Sequence, residues 1–145
     1  MDRFPGLSYK LGLIHQSRGV DGVADENGVS FSVVQTRETA RGDQWTFLGE
    51  LAAFENFEGT ADDIVYASAG VVYRTGPWTA VLSGTYRPRD LASGGSFDDY
   101  SLQTSVEYSF NSGISLAIAH EFRRDENLNN NRVGIRLIKT IEFGK

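Results

Sequence analysis

The sequence predicts an all-β chain, an eight-stranded antiparallel up-and-down transmembrane β-barrel, and three observations carry that expectation. Apolar and polar residues alternate with period two over eight segments. The connections alternate between short and long, and the large side chains collect on one face of every segment.

The elements follow in order. Strands are expected near 7–17, 28–38, 45–57, 64–74, 78–87, 100–110, 114–123 and 132–143, with no sustained helical spacing. In the first, Tyr9, Leu11 and Leu13 alternate with Ser8, Lys10 and Gly12; in the second, Val29, Phe31 and Val33 alternate with Ser30 and Ser32. The third sets Trp45, Phe47 and Leu51 against Glu50, and the fourth sets Val65, Val71 and Tyr73 against Ser68, Gly70 and Arg74. The fifth places Trp78, Leu82 and Tyr86 opposite Ser83 and Thr85, and the sixth places Tyr100, Leu102 and Val106 opposite Ser101, Gln103 and Glu107. Ile114, Leu116, Ile118 and Phe122 alternate with Ser115 and Glu121 in the seventh. In the last, Val133, Ile135, Leu137, Ile141 and Phe143 share a face opposite Arg132, Gly134 and Arg136.

The connections "TARGDQ", "TGP" and "NSG" are short, whereas "GVDGVADEN", "EGTADD", "RPRDLASGGSFDD" and "RDENLNNN" are long. Successive connections of an up-and-down barrel lie at opposite ends, so one end carries turns and the other carries loops, as in bacterial outer-membrane barrels. Eight strands enclose room for side chains only, so the small, charged face fills the lumen and the large apolar face meets lipid. Within that lumen Lys10, Glu50, Arg74, Glu107, Glu121 and Arg136 are expected to form ion pairs, because an unpaired charge there is costly. A soluble lipocalin-like barrel would reverse the faces, crowding nearly every large side chain inside. Trp45, Tyr73, Trp78, Phe110 and Phe143 fall at the short-turn end and Tyr86, Tyr100 and Phe122 at the loop end, the two girdles expected at membrane interfaces.

Composition narrows the function classes. The 145 residues fit a single domain, 1–145, and include sixteen glycines, nine Phe, six Tyr and two Trp. There is no cysteine, so thiolate metal sites and disulfides are excluded. A net charge of −5 without a basic run argues against a nucleic-acid partner. The opening "MDRFPG" lacks the apolar core of a signal peptide, which suggests a mature or excised segment.

One stretch does not fit a passive wall. In "GLIHQSRGVDG", His15 and Ser17 share the outward parity of Leu11 and Leu13 near the loop rim, where desolvating polar groups costs free energy. Side chains at i and i+2 on one strand face come within reach, and a histidine can then take the serine proton. A third group usually fixes the imidazole tautomer. Asn27, of the same parity at the start of the next strand, is the first choice, with Asp25 or Glu26 as replacements. His120, also outward, has no serine two residues away and reads as an interfacial residue. Arg87, Arg89, Arg123 and Arg124 gather at the loop end, where guanidinium groups suit lipopolysaccharide phosphates.

At His15-Gln16-Ser17-Arg18-Gly19 the sequence resembles the outer-membrane phospholipase A family, whose signature is His-x-Ser-Asn-Gly at a strand end; Arg18 stands at the family's Asn. The likeness runs from "GLSYKLGLIHQSRG" to "NNNRVGIRLIKTIEF" and corresponds to the C-terminal portion of a family whose barrels have twelve strands. The resemblance implies hydrolysis of phospholipid acyl esters in the bacterial outer membrane, with Ser17 as nucleophile, His15 as base and an asparagine as orienter. It also implies activation by calcium and by homodimerisation, although no calcium ligand carries over by position. Lipid A 3-O-deacylases, eight-stranded barrels, carry a His-x-Ser pair near the C-terminal end instead. Three functions therefore compete: an outer-membrane lipid esterase, a non-enzymatic barrel that anchors, adheres or stabilises the envelope, and a part or engineered derivative of a larger barrel.

Overall fold

A computed structural model of the chain describes residues 6–17, 25–55, 64–90, 96–111, 113–124 and 129–139. They form eight strands: β1 (Leu7–Gln16), β2 (Glu26–Glu38), β3 (Gln44–Glu55), β4 (Ile64–Thr75), β5 (Trp78–Asp90), β6 (Ser96–Ser109), β7 (Ile114–Arg124) and β8 (Asn129–Lys139). All pair antiparallel with their sequence neighbours in one sheet of order β1 to β8. No pairing between β1 and β8 is present among the described residues, which leaves these two strands as edges. Residues 1–5, Ile141 and Phe143 lie outside the described residues.

The largest shift from the sequence-based boundaries is in the β5–β6 hairpin, which continues beyond Arg87 to Asp90 and begins again at Ser96. Its extension carries cross-strand bonds that alternation alone does not reveal. Arg87 Nη2 donates to Asp99 Oδ2 at 2.6 Å, and the Tyr86 hydroxyl donates to Asp98 Oδ1 at 2.9 Å.

At the opposite end the turns are tight. Thr75 pairs with Trp78, so Gly76 and Pro77 form a two-residue loop. Gly76 has φ of +51°, the sign a type II′ turn needs at its first central position, and Pro77 supplies the negative φ of the second.

Registers are staggered around the sheet. A line of paired residues runs Leu11, Phe31, Leu51, Ala67, Tyr86, Tyr100, Arg124 and Asn129, from the middle of β1 to the first residue of β8. Strands tilted around a common axis give this drift.

The sheet also encloses one face. Glu26, Ala52, Phe54, Ile64, Asp99 and Ala117 are buried, and all six have the parity opposite to the large apolar residues. No helix covers that face among the described residues, so burial there comes from the sheet curling over itself. The other face carries Leu11, Phe31, Phe47, Leu51, Leu82, Ile118 and Ile135, all exposed. The large apolar side therefore points outward, opposite to a lipocalin-like arrangement. Ile14 and Leu48, exposed on the other parity, are exceptions.

The enclosed charges differ from expectation. Among the described residues the ion pair is Arg87–Asp99, rather than any pairing within the six expected groups. Arg74 donates instead to the amide oxygen of Gln44 at 3.1 Å, and Glu50 accepts from the Tyr66 hydroxyl. The reason is register. Lys10 and Glu50 stand two strands apart with Ser32 between them, and Glu107 and Arg136 are separated by Ala117, so neutral hydrogen bonds are the nearer partners.

Candidate functional site

The β1–β2 ladder places His15 directly opposite Asn27. Their outward side chains meet, with His15 Nδ1 2.8 Å from Asn27 Oδ1, and both are exposed. An amide oxygen only accepts, so Nδ1 carries the hydrogen, and in the neutral ring Nε2 then holds the lone pair. This is the tautomer a general base requires.

Ser17, exposed, follows the last residue of β1 and keeps the parity of His15. No hydrogen bond joins the Ser17 hydroxyl to His15 among the described residues. The contact between His15 and Asn27 is thus present, and a contact between His15 and Ser17 is not. Catalytic hydrogen bonds commonly tighten only with substrate in place.

The two replacement orienters are placed differently. Glu26 is buried on the enclosed face, which removes it from the outward imidazole. Asp25 precedes β2 and is exposed. Arg18 and Gly19 of the motif lie outside the described residues.

A second histidine–asparagine pair occurs near the other edge. On β7 and β8, His120 Nε2 lies 2.5 Å from Asn131 Oδ1, a diagonal contact, since His120 pairs in register with Val133. Parity marks His120 as outward, but Asn131 has no signal in the sequence that names it as a partner. The four arginines also divide. Arg87 faces the enclosed side and is consumed by Asp99, so it is withdrawn from an external phosphate. Arg124 lies over the Tyr100 ring at 5.9 Å, on the outer wall, while the Arg89 side chain lies outside the described residues.

Two clusters of outward aromatics frame the wall. Trp45 packs tilted against Tyr73 with centroids 4.4 Å apart, and Trp78, Tyr108 and Phe110 follow one another at 4.7 and 4.8 Å, all toward the short-turn end. Tyr100 and Phe122, 5.7 Å apart, lie toward the loop end.

Among the described residues no group of three or more His, Asp or Glu side chains is placed to hold a metal ion. No protein-family model, curated protein or solved structure matches the chain.

Proposed function

We propose that this chain forms an outer-membrane β-barrel wall that hydrolyses acyl esters of outer-leaflet phospholipids, with Ser17 as nucleophile, His15 as base and Asn27 as orienter. The observation that carries this reading is the 2.8 Å bond from His15 Nδ1 to Asn27 Oδ1 on an outward apolar face, beside a serine of the same parity.

The membrane part of the reading rests on the outer surface. So large an exposed apolar face in a soluble protein is an association liability. Trp78 and Tyr86 are eight residues apart on β5, about 27 Å along the strand at roughly 3.4 Å per residue. A tilt of about 40° reduces this to about 21 Å, close to the roughly 25 Å apolar band of such barrels. The register drift supports closure into a barrel.

The chemistry follows from the tautomer. Ser17 Oγ attacks the ester carbonyl carbon as its proton passes to His15 Nε2, and Asn27 stabilises the imidazolium through the Nδ1 hydrogen. Collapse of the tetrahedral adduct breaks the bond to the glycerol oxygen, which leaves with the proton from Nε2. Water then attacks the acyl-serine by the same route, releasing the fatty acid and restoring Ser17. Outward placement fits the substrate, because the ester carbonyls of a bilayer lie at the depth of the rim.

The test is an assay of detergent-solubilised protein on a phospholipid, with and without calcium. Ser17→Ala is expected to abolish release of fatty acid while leaving the heat-modifiable gel mobility of the barrel unchanged. Equal hydrolysis by the variant overturns the esterase reading. A second reading, a non-enzymatic barrel, is favoured by the His120–Asn131 pair, which shows that an outward histidine–asparagine contact arises here without a serine beside it. The unpaired edges β1 and β8 suit membership of a larger barrel.

A further inference from the structure

Two hollows on the enclosed side of β5 to β8 share a wall, and we infer that together they form a path for water and small ions along the barrel. The inference rests on the membrane-barrel half of the reading above and not on its ester chemistry. The first hollow, about 320 Å³, is lined by Thr85, Arg87, Asp99, Ser101 and Arg123 toward the loop end. The second, about 350 Å³, is lined by Val81, Ser105, Ala119, Gly134 and Arg136 nearer the short-turn end. Gln103 and Glu121, register partners on β6 and β7, line both. All of these stand on the enclosed face. The outward residues that touch the hollows, Tyr100, Thr104, His120, Arg124 and Ile135, are each the chain neighbour of an enclosed-face residue lining the same hollow.

An eight-stranded barrel leaves room only for side chains, so a path needs small ones. Val81, Ser105, Ala119 and Gly134 are successive register partners across the four strands, and a Cβ built on Gly134 would meet nothing within 4 Å. At roughly 30 Å³ per water, the space over this row holds several waters. The buried apolar side chains Ala52, Phe54 and Ile64 lie on β3 and β4, which confines the polar path to the other strands.

The rows on either side of the small one carry charge. Arg132, opposite Glu121 in register, donates instead to Asn130 Oδ1 at 3.2 Å, and among the described residues Glu121 forms no ion pair. An ionised carboxylate in so narrow a space is costly unless water or a cation attends it, which makes Glu121 the point where a cation is drawn. On the short-turn side Ala117 stands between Glu107 and Arg136 and is 1% exposed, so the path narrows there. Walls of hydroxyl, amide and charge select water and hydrated ions over apolar solutes.

The experiment reconstitutes the full chain in planar phospholipid bilayers and records current in a potassium chloride gradient for wild type, Gly134→Phe and Glu121→Gln. Wild type is expected to conduct. Gly134→Phe, which fills the hollow, is expected to lose most of that conductance, and Glu121→Gln to move the reversal potential toward that of chloride. Heat-modifiable mobility and flotation with phospholipid vesicles report folding and insertion, and the isosteric Glu121→Gln carries the test if Gly134→Phe does not fold. A wild type that inserts yet passes no more current than the bare bilayer overturns the path and leaves the barrel standing, as do currents unchanged in the folded variants. A wild type that does not float with vesicles overturns the barrel and the path with it.

Discussion

His15 and Asn27 are register partners on β1 and β2, and the bond from Nδ1 to Oδ1 at 2.8 Å holds the imidazole with Nε2 free. The same asparagine therefore sets both tautomer and ring orientation. Replacing it by alanine leaves the imidazole to rotate and to exchange tautomers. General-base catalysis contributes about 10²–10⁴-fold, and loss of the orienter is expected to remove on the order of 10–100-fold of kcat with little change in KM. His15→Ala should cost more, since it removes the proton acceptor. Steady-state kinetics on one phospholipid checks both, and a wild-type kcat in Asn27→Ala rejects the orienting role.

Two glycines separate packing from mere strand membership. A Cβ built on Gly28 comes within 2.3 Å of the Phe54 ring, which is buried on the enclosed face, whereas one on Gly134 meets nothing within 4 Å. Gly28→Ala must displace that ring and is expected to cost about 1–3 kcal/mol. Gly134→Ala removes backbone entropy from the unfolded chain without a clash and should stabilise by about 0.4–1 kcal/mol. Denaturant midpoints of the two variants, measured in one detergent, should move in opposite directions.

Much of the fold is legible in the residues because a period of two is unambiguous when one face is large and apolar. Trp45, Phe47 and Leu51 fix the outward side of β3, and Gly76-Pro77 fixes a turn by backbone geometry alone. Pairings that depend on register are less legible. Asn27 is reachable by counting because a single loop separates it from His15. The Arg87–Asp99 pair and the contact of His120 with Asn131 need the cross-strand offset, which no alternation pattern carries. Glu26 shows the same limit from the other side. Its place one residue from Asn27 suits an orienter, yet that one residue turns it to the enclosed face.

The outward face gives a third expectation. Leu82 is mid-strand on β5, between Trp78 and Tyr86, and exposed. In a lipid-facing wall, arginine at such a depth costs roughly 2–4 kcal/mol. In water the same exposed position tolerates arginine within about 0.5 kcal/mol. Unfolding of Leu82→Arg in bilayers, compared with wild type, distinguishes the two, and a neutral substitution there rejects the membrane reading.

The last expectation concerns the edges. Leu13 on β1 is 85% exposed, and Val133, Ile135 and Leu137 on β8 are 73%, 76% and 72% exposed, and among the described residues each strand is paired on one side. Strand edges with free N–H and C=O groups do not persist in hydrocarbon, where each unsatisfied group costs several kcal/mol. Closure of β1 on β8 supplies the missing partners, and outward parity requires odd residues of β1 to face odd residues of β8. Cα atoms of directly opposed residues then lie about 4.5–5.5 Å apart, within the span of a disulfide. Leu13→Cys, combined in turn with Val133→Cys, Ile135→Cys and Leu137→Cys, is expected to give an intramolecular cross-link that is strong for one partner and weak for the others. A cross-link found only between two copies assigns the edges to an intermolecular seam. Absence of any cross-link, in protein that retains heat-modifiable mobility, assigns them to further strands of a larger barrel.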